Sequence, residues 1–273
     1  PMEIIATKQE IQQLKTKYPK SDYLIFPENR LNPIRMENFL PCRWIEKGVQ
    51  NSFSAQACRN EYFVFQLGLW AAGKDINNVD IDFEDLQNAQ GGKIRRENLN
   101  CFNLEGVNSK GEYFTRAVNI EKNKIQALWL GVDIPKDTEP GKYKGTITVC
   151  AANSNKTQIK LKINVLDKVL TDRGDSDLWR MSRLRWLNST IAQNNKVVKP
   201  YTKLKIRNST IKCLGREVQL NSYALPKKIK CWENQLIDDD IKFIIETPEG
   251  IENFQNGSLK ITKTTPGAVN FQS

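Results

Sequence analysis

The chain has 273 residues, 39% apolar and 26% charged, with a formal net charge of +10. That length suits one large domain or two ordinary ones and needs no covalent staples, and no apolar run reaches the ~18 residues of a membrane helix. It contains no His, which removes the commonest general base and metal ligand and every Ser-His or Cys-His nucleophile arrangement.

Thr7 to Glu10 fits a capping box, and Ile11, Leu14 and Tyr18 follow on one face of a short helix that Pro19 stops. Tyr23 to Phe26 reads as a buried strand ended by Pro27. From there the period is two. Glu61 to Ala72 is apolar at nearly every position, as a central sandwich strand should be. Val79, Ile81 and Phe83 alternate with Asp80, Asp82 and Glu84. Tyr113 to Ile120 and Ile125 to Ile134 are further strands, and the turn run Pro135 to Gly141 leads into Lys142 to Ala151. Ile159 to Val165 alternates again. Short strands between turns with almost no helix predict an antiparallel β-sandwich over residues 1–166.

Residues 167–177 are polar and turn-rich and mark a boundary. Residues 178–273 then read as a second β unit, an incomplete sandwich, opening on a stretch rich in Arg and Trp. Its strand candidates are Lys203 to Arg207, Thr210 to Cys213, Arg216 to Leu220, Lys228 to Trp232, Ile241 to Glu246 and Leu259 to Thr262. Asn208-Ser209 reads as a hairpin turn. The fold class is therefore all-β throughout.

Charge is uneven: residues 173–231 carry 14 Lys and Arg against three Asp and Glu. Such a patch suits a polyanion. No helix-turn-helix, aromatic RNP signature or Cys/His finger accompanies it, so nucleic acid is not expected as a partner. Lys alternating with apolar residues, as in Lys203 to Arg207, also describes an ordinary solvated strand face.

Few constellations could carry chemistry. A glycosidase needs two carboxylates roughly 5–10 Å apart. Asp80, Asp82 and Glu84 share one side of a strand, and a wet face accounts for them. Asp238 to Asp240 lacks the alternating ligands of a calcium loop. The six Cys form no C-x-x-C pair, so no metal site is expected; Cys213 and Cys231 stand out only if their strands are neighbours. Trp70 and Trp129 read as core. Trp179, Arg180, Arg183, Arg185 and Trp186 have the composition of an interface hot spot and are the candidates for inter-unit packing or ligand contact. Full burial of Trp186 would make its truncation cost ~3 kcal/mol or more. No catalytic, cofactor-binding or metal residue is assigned.

Three segments resemble a known family. Cys58 to Trp70, Val132 to Val149 and Arg173 to Thr190 are similar to the opening strand, the closing hairpin and the following junction of the N-terminal sandwich of glycoside hydrolase family 123 and related Bacteroidetes proteins. The resemblance implies a secreted parent enzyme, exported to periplasm or cell surface, that hydrolyses terminal N-acetylgalactosaminides with help from the substrate's acetamido group. That chemistry uses an Asp-Glu pair in a downstream barrel. Here no Asp-Glu dipeptide exists; Glu84-Asp85 is the reverse order. The expectation is a non-catalytic accessory region whose partner is its own catalytic domain. The alternatives are a carbohydrate- or polyanion-binding module and a surface adhesion or scaffold domain.

Overall fold

The structure, a computed structural model, describes residues 3–191, 193–253 and 257–273. The chain divides into two compact units, residues 1–189 and 190–273. The boundary thus falls after the Arg/Trp stretch, not within residues 167–177. The reason is chemical: Arg180 and Ser182 are buried against the strand that begins at Tyr62 and hold their segment to the first unit.

In the first unit the helices are α1 (Lys8–Lys17) and α2 (Cys42–Lys47). The main strands, in chain order, are β1 (Leu24–Asn29), β2 (Ser52–Arg59), β3 (Tyr62–Trp70), β4 (Ile76–Phe83), β5 (Leu99–Cys101), β6 (Val118–Ile120), β7 (Ile125–Asp133), β8 (Gly141–Ala151) and β9 (Ser154–Val169). One sheet runs β1-β3-β7-β5 and the other β6-β4-β8-β9-β2. Their inner faces meet in a core that includes Phe65, Leu67, Leu130, Ile147 and Leu161. All-β architecture follows from the period-two pattern, with one exception to antiparallel pairing among the described residues: β2 lies parallel to β9, Ala55 opposite Ile163.

Every residue of β3 is buried. Phe63, Phe65, Leu67 and Leu69 face the sandwich, while Trp70 joins Leu14, Phe26 and Trp44 in a second cluster beneath α1 and α2. Trp44 stacks on Phe26 with ring centroids 4.5 Å apart. It also lies so close over Gly68 that any Cβ there would overlap the indole. The capping box at Thr7 and Glu10 forms as the sequence predicts.

Two local expectations change, and one short helix joins the predicted elements. β1 continues through Pro27, which pairs with Leu67. An edge strand tolerates the missing N–H. Trp129 is only partly buried, because its strand also carries half-covered positions. The short α2 carries no side-chain cap signal; Trp44, buried among apolar neighbours, anchors it.

The second unit is built on β10 (Lys205–Arg207), β11 (Thr210–Cys213), β12 (Arg216–Leu220), β13 (Pro226–Cys231) and β14 (Asn234–Gln235). These form one antiparallel meander in chain order. Asn208-Ser209 makes the first turn, between paired Arg207 and Thr210. Two separate hairpins, Ile244–Thr247 with Gly250–Asn253 and Lys260–Thr264 with Val269–Gln272, complete it. Among the described residues of this unit only Leu220 is a buried apolar side chain.

Candidate functional site

The Arg/Trp stretch folds as two 3-10 turns, Leu178–Arg180 and Ser182–Asn188, joined by Met181 in the left-handed region at φ 57°. Arg180 is 9% exposed. Its Nη1 donates to Glu61 Oε1 at 3.0 Å and its Nε to Asp177 Oδ2 at 2.8 Å. Burial works against the Arg180 charge, but Asp177 and Glu61 outweigh it and raise its pKa. Arg30 donates to the same Glu61 oxygen at 2.6 Å and to the Arg180 carbonyl at 3.1 Å. The other Glu61 oxygen accepts the Cys58 N–H at 2.7 Å. One carboxylate, fully shielded from water, thus holds two guanidinium groups.

Trp179 lies beside this cluster, with the Arg30 and Arg180 guanidinium carbons 4.8 and 4.4 Å from its ring centroid. It remains 51% exposed and walls a groove of about 320 Å3 with Leu31 and the Ser54 to Ala57 stretch of β2. Arg183 and Arg185 both approach the ring of Trp186, at 5.1 and 6.0 Å. Arg185 pairs with Asp175, and Arg183 Nε donates to the Asp175 carbonyl at 2.9 Å. Trp186 is 50% exposed, so the full burial its surroundings suggest does not occur: its faces are occupied by cations that themselves reach water.

The five predicted residues fall into two groups along one segment, the latch: Trp179 and Arg180 with Arg30 and Glu61, and Arg183, Arg185 and Trp186 with Asp175. Asp172 organises the turn that precedes them. Ser176 and Gly174 donate hydrogen bonds to its carboxyl and hold its pKa at about 2. Arg30 and Glu61 belong to the same cluster but escaped sequence reading. The available signal was a lone carboxylate heading an apolar strand, because a buried charge is seldom left unpaired.

The remaining candidates are dispersed. Asp80, Asp82 and Glu84 lie exposed along β4 and just after it. Among the described residues no cluster of three metal-binding side chains exists. All six Cys are free thiols. Cys213 and Cys231 are not on neighbouring strands: each pairs with Arg216, on opposite sides of β12. Burial pushes the Cys101 thiol up to about 12, which keeps it protonated and inert.

The basic stretch resolves into two parts. Arg173, Arg180 and Arg185 are in ion pairs of the first unit. The lysines of the second unit are spread over its sheet, where Lys212 donates to Glu217 at 2.6 Å and holds that carboxyl below its ordinary pKa. No helix among the described residues is long and apolar enough to cross a membrane.

Comparison with known proteins bears on both units. Residues 100–151 match the glycoside hydrolase 123 N-terminal domain and residues 204–273 the glycoside hydrolase 123 third domain. No curated protein matches the chain's sequence. Among solved structures, a family 123 glycoside hydrolase from Clostridium perfringens is similar at 22% identity and a TM-score of 0.43, covering 54% of this chain and 28% of that enzyme. The chain thus spans little more than a quarter of it. A human PapD-like domain gives 11% identity, a TM-score of 0.33 and coverage of 55% and 89%. The major subunit of Myf fimbriae from Yersinia enterocolitica gives 12%, 0.29, and 43% and 95%. On the two domain matches, this chain carries segments similar to the N-terminal domain and to the third domain of glycoside hydrolase family 123.

Proposed function

We propose that the chain is an accessory region of an exported glycoside hydrolase acting on N-acetylhexosamine-containing glycans, and that its partner is a catalytic barrel in the same protein. The two domain matches carry the reading. The chemistry of the carboxylates supports it. Glycoside hydrolysis by a carboxylate pair needs one group free to donate a proton and another free to attack or to activate water. Glu61, the carboxylate most shielded from water in the latch, is committed to Arg30 and Arg180 and to the Cys58 N–H. Among the described residues, segment 152–203 between the two matches holds β9 and the latch turns and shows no strand–helix alternation. The apolar side chains that the second unit leaves exposed, among them Phe243, Ile244 and Ile251, offer surface for a neighbouring domain.

The test is to assay the chain alone and the complete protein on an N-acetylgalactosaminide. The expected result is turnover by the complete protein only, with a lower melting temperature of the barrel when residues 1–273 are deleted. Turnover by the chain alone, or a barrel indifferent to the deletion, would refute the reading.

A further inference from the structure

The sheet of the second unit has two unlike faces. Residues paired directly across neighbouring antiparallel strands share a face. Lys205, Lys212, Glu217 and Lys230 therefore form one row across β10 to β13. Two residues along, Arg207, Thr210, Gln219 and Lys228 form a second row on the same face. Ile206, Ile211, Val218 and Ile229 take the other face. Like charges directly opposite destabilise a sheet. Lys205 opposite Lys212 is such a case, and only Lys212 is relieved, by Glu217. Among the described residues, Lys205 and Arg216 have no carboxylate within ion-pair distance, while Lys230 sits opposite Glu217 and shares its charge with Lys212.

At one end of this sheet two tight turns meet, Leu214-Gly215 and Trp232-Glu233. The Trp232 N–H donates to the Gly215 carbonyl at 2.6 Å. The indole lies against Gly215, where a Cβ would come within 2.7 Å of the ring, and Gly215 has φ +74°. Glycine here serves two needs, the turn and the seat of the indole. The ring is held from beneath, yet Trp232 is 73% exposed. Between the turns and the lysine row lies a cleft of about 350 Å3, whose lining includes five cations, Lys203, Lys205, Lys212, Arg216 and Lys230, against two carboxylates, Glu217 and Glu233, beside Trp232.

We propose that this cleft binds an acidic polysaccharide, one whose sugars carry sulfate or uronate groups. A pyranose presents an apolar C–H face that fits the free face of a fixed indole, whose large rigid surface comes at little entropic cost. The sulfate or carboxylate beside that ring takes charge-assisted hydrogen bonds from Lys205 and Lys230, which share one face of the sheet. A single-stranded nucleic acid would need several aromatic plates along its track to stack successive bases, and Trp232 is the one aromatic side chain lining the cleft. The choice of a sugar polymer over other polyanions rests on the accessory-region reading above; the seat of the indole and the unpaired cations do not.

The experiment is calorimetric titration of the whole chain with chondroitin sulfate oligosaccharides, with a neutral N-acetylgalactosamine-ended oligosaccharide and with oligothymidylate. The expected result is binding of chondroitin sulfate that weakens as salt rises. Trp232→Ala, which removes the stacking surface, and the double variant Lys205→Gln/Lys230→Gln, which removes charge-assisted contacts, should each weaken it by about tenfold or more. The triple variant Lys156→Gln/Lys160→Gln/Lys162→Gln, which removes exposed charge from β9 in the first unit, should bind as the parent does. Circular dichroism of each variant separates unfolding from lost contact, and the two second-unit variants report independently. No binding of chondroitin sulfate, an equal loss in the β9 control, an indifferent Trp232→Ala, or tighter binding of oligothymidylate would each overturn the proposal. Binding of the neutral oligosaccharide alone, independent of the lysines, would overturn the acidic cleft and leave the accessory role standing. Absence of barrel stabilisation with chondroitin sulfate still bound would do the reverse.

Discussion

Glu61 is the residue on which the latch depends. Its carboxylate has no contact with water and two guanidinium partners. Removing one partner of a buried pair leaves uncompensated charge, a loss of about 3–5 kcal/mol. Glu61→Gln, nearly the same size, should therefore lower first-unit stability by that order in urea unfolding. Trp186→Ala should behave differently. Half of the indole is in water, so the loss should be about 1 kcal/mol, the size of an exposed cation–π contact. Asp172 adds a pH signature. Its folded pKa, about 2, lies below the ~3.9 of an unfolded chain. Its contribution is then complete above about pH 4 and is lost as pH falls through about 2. A carboxyl chemical-shift titration of Asp172 should show the low midpoint, and Asp172→Asn should flatten the acid limb of a pH-stability profile.

At the scale of the element, α2 depends on one glycine in another strand. A Cβ at Gly68 would overlap the Trp44 indole. Gly68→Ala should displace α2 and lower stability by about 1–3 kcal/mol, the usual range for overpacking, with near-ultraviolet circular dichroism reporting the disturbed Trp44. The same contrast explains what the sequence makes legible. Strands whose core positions alternate, such as β4 and β8, declare themselves, and so does the Thr7 capping box, because the information is local. β2 has a weak pattern, and its parallel partner β9 lies far along the chain, so neither its pairing nor its direction can be read locally. The latch is half legible. Its Arg and Trp residues are conspicuous, but Arg30 and Glu61 reach it from elsewhere in the chain. The polar residues 167–177 look like a linker because turns and boundaries share a composition; hydrogen bonds such as Tyr62 N–H to the Arg173 carbonyl at 3.1 Å decide otherwise.

At the scale of the whole molecule the two units differ in kind. The first has an extensive buried core. The second has one buried apolar side chain among its described residues, with Phe243, Ile251 and Trp232 in water. Small units with little buried surface are marginal. Calorimetry should show two transitions, the lower from the second unit, and a 1–189 fragment should retain the upper one. A single shared transition would show that the second unit draws its stability from the first.

The pairing of β2 with β9 also sets a timetable. Residues near Ala55 wait for partners near Ile163, a closure over about a hundred residues, which belongs to the slow end of folding. Because Glu61 then takes up Arg180, the first unit is not finished when its last strand arrives. A nascent chain emerging from a ribosome or a membrane pore would have to expose the latch residues before the sandwich could lock. Until β9 arrives the edge of β2 that it covers would stay open to other strands, and the buried charge of Glu61 would wait longer still, for Arg180, beyond the polar stretch that looks like a linker.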